Sequence, residues 1–225
     1  MSHEGSVIPP RRAAGGLLAL LAFLLSALVA IAPAAGQLPP PHIVFVGDSL
    51  TAGLGVGPGK GYPERLAALL AQEGLDIRVT NAGVSGDTSA GGLSRLDWSV
   101  PEDTDGVVLA LGANDALRGI PVAETRANLA AIIERLKARG IAVYLAGMVS
   151  PPNMGAAYAA EFDPLYHDLA QRYDVPLYPF LLDGVAAAGD LNQADGMHPN
   201  EAGMAVIAKA MLPSMRDFVA RVMGE

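Results

Sequence analysis

HIVFVGDSLTAGLG, residues 42–55, is a short apolar run that breaks into a glycine-punctuated turn. Ile43-Val44-Phe45-Val46 is continuous and rich in β-branched residues, the pattern of a strand buried on both faces of a parallel sheet. Gly47-Asp48-Ser49 ends it, and Gly53, Gly55, Gly57 and Gly59 keep the next dozen residues from joining one long helix. A serine is therefore offered at the carboxyl end of a buried strand, the edge where open α/β sheets place their ligands. Taken alone, such a serine or aspartate is as well explained as a helix cap. The rest of the chain decides whether a base and an oxyanion site come to the same edge.

Downstream, strands and helices alternate. Tyr62 to Gly74 reads as a helix with Leu66, Leu69 and Leu70 on one face, and Asp76 to Asn81 as a short strand. A polar segment follows, with a short helix near Gly91 to Leu96. Val107 to Leu111 is a second continuous apolar strand, stopping at Gly112-Ala113-Asn114-Asp115. Pro121 to Arg139 reads as a long helix, Ile141 to Ala146 as a strand, and Pro151-Pro152 opens a loop. Tyr158 to Tyr173 is expected to be helical, Val175 to Leu177 a strand, and Glu201 to Met223 the closing helix. This alternation implies an α/β fold: a three-layer α/β/α sandwich, flavodoxin-like, on a central parallel sheet of about five strands.

Composition narrows the function. The chain has 225 residues, enough for one α/β domain with a full core. Net charge is −8 with no basic cluster, which argues against nucleic-acid binding, since that affinity comes mainly from neutralising phosphates. The absence of cysteine excludes a disulfide framework, a thiolate nucleophile and a Cys-based zinc site. Residues 1–36 have the features of an export signal: Arg11-Arg12, an uncharged run from Gly15 to Ala32, and small residues at Ala32-Pro33-Ala34. An uncleaved anchor is the other reading, because that run is near the minimum for crossing a bilayer. Residues 37–41 form a proline-rich spacer, and 42–225 the folded domain. The expected location is periplasmic or secreted, with membrane contact only through the N-terminal segment if it is uncleaved.

Three strand ends carry residues suited to one chemistry. Ser49 is a candidate nucleophile, and Gly83 (backbone N–H), Asn114 (side-chain amide) and Ser49 itself (backbone N–H) are candidate oxyanion donors. Among four histidines, His3 lies in the export segment, His42 at the wrong end of the first strand, and His167 inside a helix. His198 remains, in Asp195-Gly196-Met197-His198-Pro199-Asn200. A spacing of three in one loop lets Asp195 reach Nδ1–H of His198 and leaves Nε2 free to take a proton from Ser49. Ser85 is a weaker rival nucleophile beyond the second strand. No Gly-x-Ser-x-Gly elbow occurs. Leu50, Leu54, Met148, Val149, Pro151 and Met197 are candidates for a shallow acyl groove.

These blocks, Gly47-Asp48-Ser49-Leu50, Asn81-Ala82-Gly83, Gly112-Ala113-Asn114-Asp115 and Asp195-Gly196-Met197-His198-Pro199, resemble in order those of the GDSL esterases, or SGNH hydrolases. Ser85-Gly86-Asp87-Thr88, Leu117-Arg118-Gly119 and Tyr178-Pro179-Phe180 are most similar to the bacterial arylesterase and acyl-CoA thioesterase/lysophospholipase branch. The resemblance implies a serine esterase acting through an acyl-serine on aryl or short- to medium-chain esters, and on lysophospholipids or acyl thioesters. It implies no metal or organic cofactor, a small-molecule or lipid ester as partner, and a monomer or weak oligomer. Ala113 departs from the second glycine usual in thioesterase members, which favours simple ester hydrolysis. The competing readings are a carbohydrate O-acetylesterase and a flavodoxin-like phosphate- or cofactor-binding module.

Overall fold

The computed structural model describes residues 39–224, with Met1, Ser2 and Gly5. The chain divides into two units, Met1–Pro39 and Pro40–Glu225. The expected export segment and the start of the spacer thus lie almost wholly outside the described residues, which fall almost entirely in the second unit. Among the described residues no helix is long and apolar enough to cross a membrane.

Five parallel strands form the sheet: β1 (His42–Gly47), β2 (Arg78–Gly83), β3 (Gly106–Ala110), β4 (Ala142–Ala146) and β5 (Leu177–Tyr178). Their order is β2-β1-β3-β4-β5, the flavodoxin-like arrangement. Every residue of β1 and β3 is buried. The helices are α1 (Ser49–Ala52), α2 (Tyr62–Gln72), α3 (Ser89–Ser99), α4 (Ala113–Leu117), α5 (Val122–Ala138), α6 (Ala156–Phe162), α7 (Leu165–Tyr173) and α8 (Glu201–Met223). Helices α2 and α8 pack together, as do α3 with α5 and α5 with α7, so the sheet is covered on both faces. The strand order reverses at β1, which has β2 on one side and β3 on the other. Crevices form where connections leave such a switch point in opposite directions.

Element boundaries depart from the sequence reading where local chemistry overrides pattern. The second strand starts later and runs through Ala82 and Gly83, because β1 extends its ladder in the register His42↔Arg78 to Gly47↔Gly83. The single helix expected over Tyr158–Tyr173 is two: Pro164 has no N–H for the next turn, and Asp163 Oδ1 accepts the Ser150 N–H at 2.8 Å. The last strand is shifted from Val175–Leu177 to Leu177–Tyr178, since the Val175 N–H closes the end of α7 on Ala170 O at 3.1 Å. Pro121 precedes α5 as its cap rather than opening it.

Candidate active site

Register places the carboxyl ends of β1, β2 and β3 side by side: Gly47 pairs with Gly83 on one flank and Ala110 on the other. From Gly47 the chain turns at once into α1. Asp48 caps this helix, its Oδ1 accepting the Leu50 N–H at 3.0 Å, and Ser49 is the first helical residue. A first helical residue has no intrahelical acceptor for its N–H, so the Ser49 amide stays available beside its own hydroxyl.

The histidine loop arrives from the far end of the chain. Ser49 Oγ lies 2.9 Å from His198 Nε2, and His198 Nδ1 lies 2.6 Å from Asp195 Oδ2. Asp195 also organises its own loop, with Oδ1 accepting the N–H groups of Met197 and His198 at 2.9 and 3.0 Å. Those two backbone bonds, then the imidazole, hold its carboxyl down at about 2. Asp195 is therefore ionised across the working range. An anion at 2.6 Å fixes the proton on Nδ1 and turns the Nε2 lone pair toward the Ser49 hydroxyl. Gln193 anchors the loop, donating to Leu54 O at 2.6 Å and Pro199 O at 3.0 Å while its N–H meets His198 O at 2.8 Å.

Asn114 stands on α4, directly after β3. Its Nδ2 donates to Asp48 Oδ2 at 3.2 Å, which orients the amide beside the nucleophile turn and leaves its second N–H unused by that bond. The neighbouring Asp115 is fully buried; it accepts the Ser89 N–H and Oγ–H at 2.8 and 2.5 Å and the Thr125 hydroxyl at 3.2 Å, pinning α4 to α3 and α5.

Gly83 is the residue expected to offer a backbone N–H to the oxyanion. Its N–H already donates to Asn81 Oδ1 at 3.0 Å. The residue instead permits close packing: a Cβ there would come within 2.2 Å of the Ala52 backbone nitrogen. Three residues on, exposed Gly86 has φ 85°, and its N–H donates to no protein group among the described residues. Its carbonyl is held at 2.7 Å by Arg118 Nη2. The sequence signal for it was the Gly in Ser85-Gly86-Asp87, a tight turn closed by the Asp87 N–H on Val84 O at 3.1 Å.

The groove candidates divide. Leu50 and Met148 are buried members of the core, because α1 turns Leu50 inward and the β4 exit does the same to Met148. Contrary to expectation, they offer almost no surface to a groove. Pro151 is half-buried, while Leu54, Val149 and Met197 are exposed by 45%, 46% and 53%. Val84 and Leu117, not among the expected groove residues, are exposed at the same edge. Among the described residues no group of three His, Asp or Glu side chains is arranged to hold a metal ion.

A parallel sheet with this strand order, and a hydroxyl–imidazole–carboxylate chain at its carboxyl edge, define a serine ester hydrolase. The sequence model of the GDSL-like Lipase/Acylhydrolase family matches residues 45–206. Esterase TesA of Pseudomonas aeruginosa is 39% identical over 199 residues, covering 88% of this chain and 99% of the relative. An arylesterase of Vibrio mimicus is 35% identical over 187 residues, 83% of this chain and 94% of the relative. Among solved structures, the psychrotrophic esterase EstA from Pseudoalteromonas sp., inhibited by monoethylphosphonate, superposes with TM-score 0.75. It is 32% identical, over 79% of this chain and 98% of that one. The chain belongs to the GDSL-like lipase/acylhydrolase family.

Proposed function

We propose that the chain hydrolyses aryl and short- to medium-chain carboxylic esters by two acyl transfers, with Ser49 as nucleophile, His198 as base and Asp195 as its orienter. The observation that carries this is the unbroken chain from Ser49 Oγ to His198 Nε2 at 2.9 Å and from His198 Nδ1 to Asp195 Oδ2 at 2.6 Å. Ser49 Oγ attacks the carbonyl carbon as Nε2 takes its proton. The tetrahedral intermediate collapses when the imidazolium returns that proton to the departing alcohol or phenol. Water then attacks the acyl-serine, again losing its proton to His198, and the acid leaves as Ser49 is restored.

The oxyanion donors in this reading are the N–H of Ser49, the N–H of Gly86 and Nδ2 of Asn114. Gly86 takes the part expected of Gly83; the Gly83 amide, bonded to Asn81, and the Gly86 amide, without a protein acceptor among the described residues, support that change. Leu54, Val84, Leu117, Val149 and Met197 are the apolar surface for the acyl chain, supported by their exposure around this edge. Residues 1–36 direct export; N-terminal sequencing of the secreted protein checks that.

The decisive experiment is Ser49→Ala. Its p-nitrophenyl acetate hydrolysis is expected to drop by at least about 10³-fold with the fold retained, and a wild-type rate would refute the assignment. A panel of aryl, acyl-CoA, lysophospholipid and acetyl-xylan esters then assigns the substrate class. Acetate release from xylan alone would replace aryl and acyl esters by a carbohydrate substrate.

A further inference from the structure

One buried cation beneath the site takes no part in this mechanism. Arg95, on α3, is 5% exposed, and its guanidinium makes three separate bonds. Nε meets Asp87 Oδ2 at 2.5 Å, Nη1 donates to Ser99 Oγ at 2.9 Å, and Nη2 donates to Gly47 O at 2.9 Å. Gly47 lies two residues before the nucleophile, and Asp87 immediately follows Gly86. A single planar group therefore spans the nucleophile turn and the Gly86 turn.

Other contacts tighten the same span. Gly47 O also accepts the Val84 N–H at 3.0 Å, and the Asp87 N–H closes the Val84–Asp87 turn. The first turn of α3 presses on the carboxylate so closely that a Cβ at Gly91 would come within 2.7 Å of Asp87 Oδ1. Stability alone is a poor reason for such a pair, since well-packed apolar residues in place of a buried ion pair are often neutral or better. Lysine does not substitute: a point charge cannot reach three acceptors that a rigid fork satisfies together.

We propose that Arg95 and Asp87 are positioning residues that set the separation of the Ser49 and Gly86 amides, so that both reach one developing oxyanion. The inference rests on the hydrolase reading above. Neither side chain bonds to Ser49 or His198, so the pair acts only through the two backbone turns.

The test uses Arg95→Lys and Asp87→Asn in the full chain, with Ser49→Ala in parallel and folding followed by circular dichroism. On p-nitrophenyl acetate, kcat is expected to fall roughly 10- to 100-fold in each variant, because an ångström of misplacement costs on that order. KM should move by less than about threefold, since the lost interaction is made in the transition state. The rate of Ser49 phosphonylation by a fluorophosphonate should fall in step with kcat, and the double variant should be no slower than the worse single one. A kcat within about twofold of wild type in both folded variants, with Ser49→Ala inactive, overturns this inference and leaves the hydrolase reading intact. Failure of both variants to fold would assign the pair to stability and overturns it equally. An active Ser49→Ala would sink the hydrolase reading instead.

Discussion

Replacing Asp48 by asparagine should make the protein more stable and a worse catalyst, and the gain should depend on pH. Asp48 is 1% exposed. Burial pushes its carboxyl up from 3.8 to about 6, against the opposing pull of the Leu50 N–H, the Asn114 amide and the field of His198. A raised carboxyl pKa means that the native state holds this proton more tightly than the unfolded chain does. Its contribution is therefore most favourable below pH 3.8, is lost as pH rises through 6, and stays lost above that. A shift of that size corresponds to about 3 kcal/mol of penalty for keeping the buried carboxylate ionised at neutral pH. Urea unfolding of wild type and Asp48→Asn at pH 3.5 and pH 7.5 measures it. The variant's stability relative to wild type should rise by roughly 3 kcal/mol between those values, other titrations cancelling in the difference. Asparagine offers one acceptor where Asp48 uses two, for Leu50 N–H and Asn114 Nδ2, so kcat should fall roughly 10-fold or more as the amide loses its orientation. A stability difference equal at both pH values, to within about 0.5 kcal/mol, would refute the reasoning.

Asn114→Ala removes one proposed oxyanion donor and should cost on the order of 10²–10³ in kcat with little change in KM, read from steady-state kinetics on p-nitrophenyl acetate. Asp195→Asn should lower kcat by about 10⁴, because an amide does not hold the proton on Nδ1. Since Asp195 itself is held at about 2, the wild-type pH–rate profile should show no step belonging to this carboxylate above pH 4. Leu117→Ser and Met197→Ser should each flatten the p-nitrophenyl ester chain-length profile, by up to a few-fold per methylene, as about 0.8 kcal/mol of burial per CH₂ is forfeited.

The parts of the site that depend on residue type within one short segment were open to reading from sequence alone. Ser49 after an apolar run, Asn114 after another, and Asp195 three residues from His198 are each set by local spacing. Burial of β1 and β3 on both faces follows from their unbroken apolar runs. What was not legible depends on which polar group reaches which partner. Gly83 and Gly86 look alike as letters, yet Asn81 occupies the first amide and not the second. Leu50 and Leu54 look alike too, but α1 turns one into the core and leaves the other in solvent. The bonds of Arg95 to the two turns were invisible because Asp87 and Gly47 are 8 and 48 positions away. The split of the Tyr158–Tyr173 helix was available from Pro164, but helical periodicity on both sides masked it.

The exposed apolar side chains at the catalytic edge are spread evenly over the connections: Leu54 follows β1, Val84 follows β2, Leu117 follows β3, Val149 follows β4 and Met197 follows β5. No single strand–helix crossover therefore owns the rim. The connection after β4, which carries Val149, holds no member of the Ser49–His198–Asp195 chain and none of the proposed oxyanion donors, so it can be lengthened, shortened or recoloured with that chain left in place. Such an architecture leaves the β4 exit as the free margin of the rim, where grafting can alter substrate preference, while at Leu54, Val84, Leu117 and Met197 point substitutions suit better than changes of loop length.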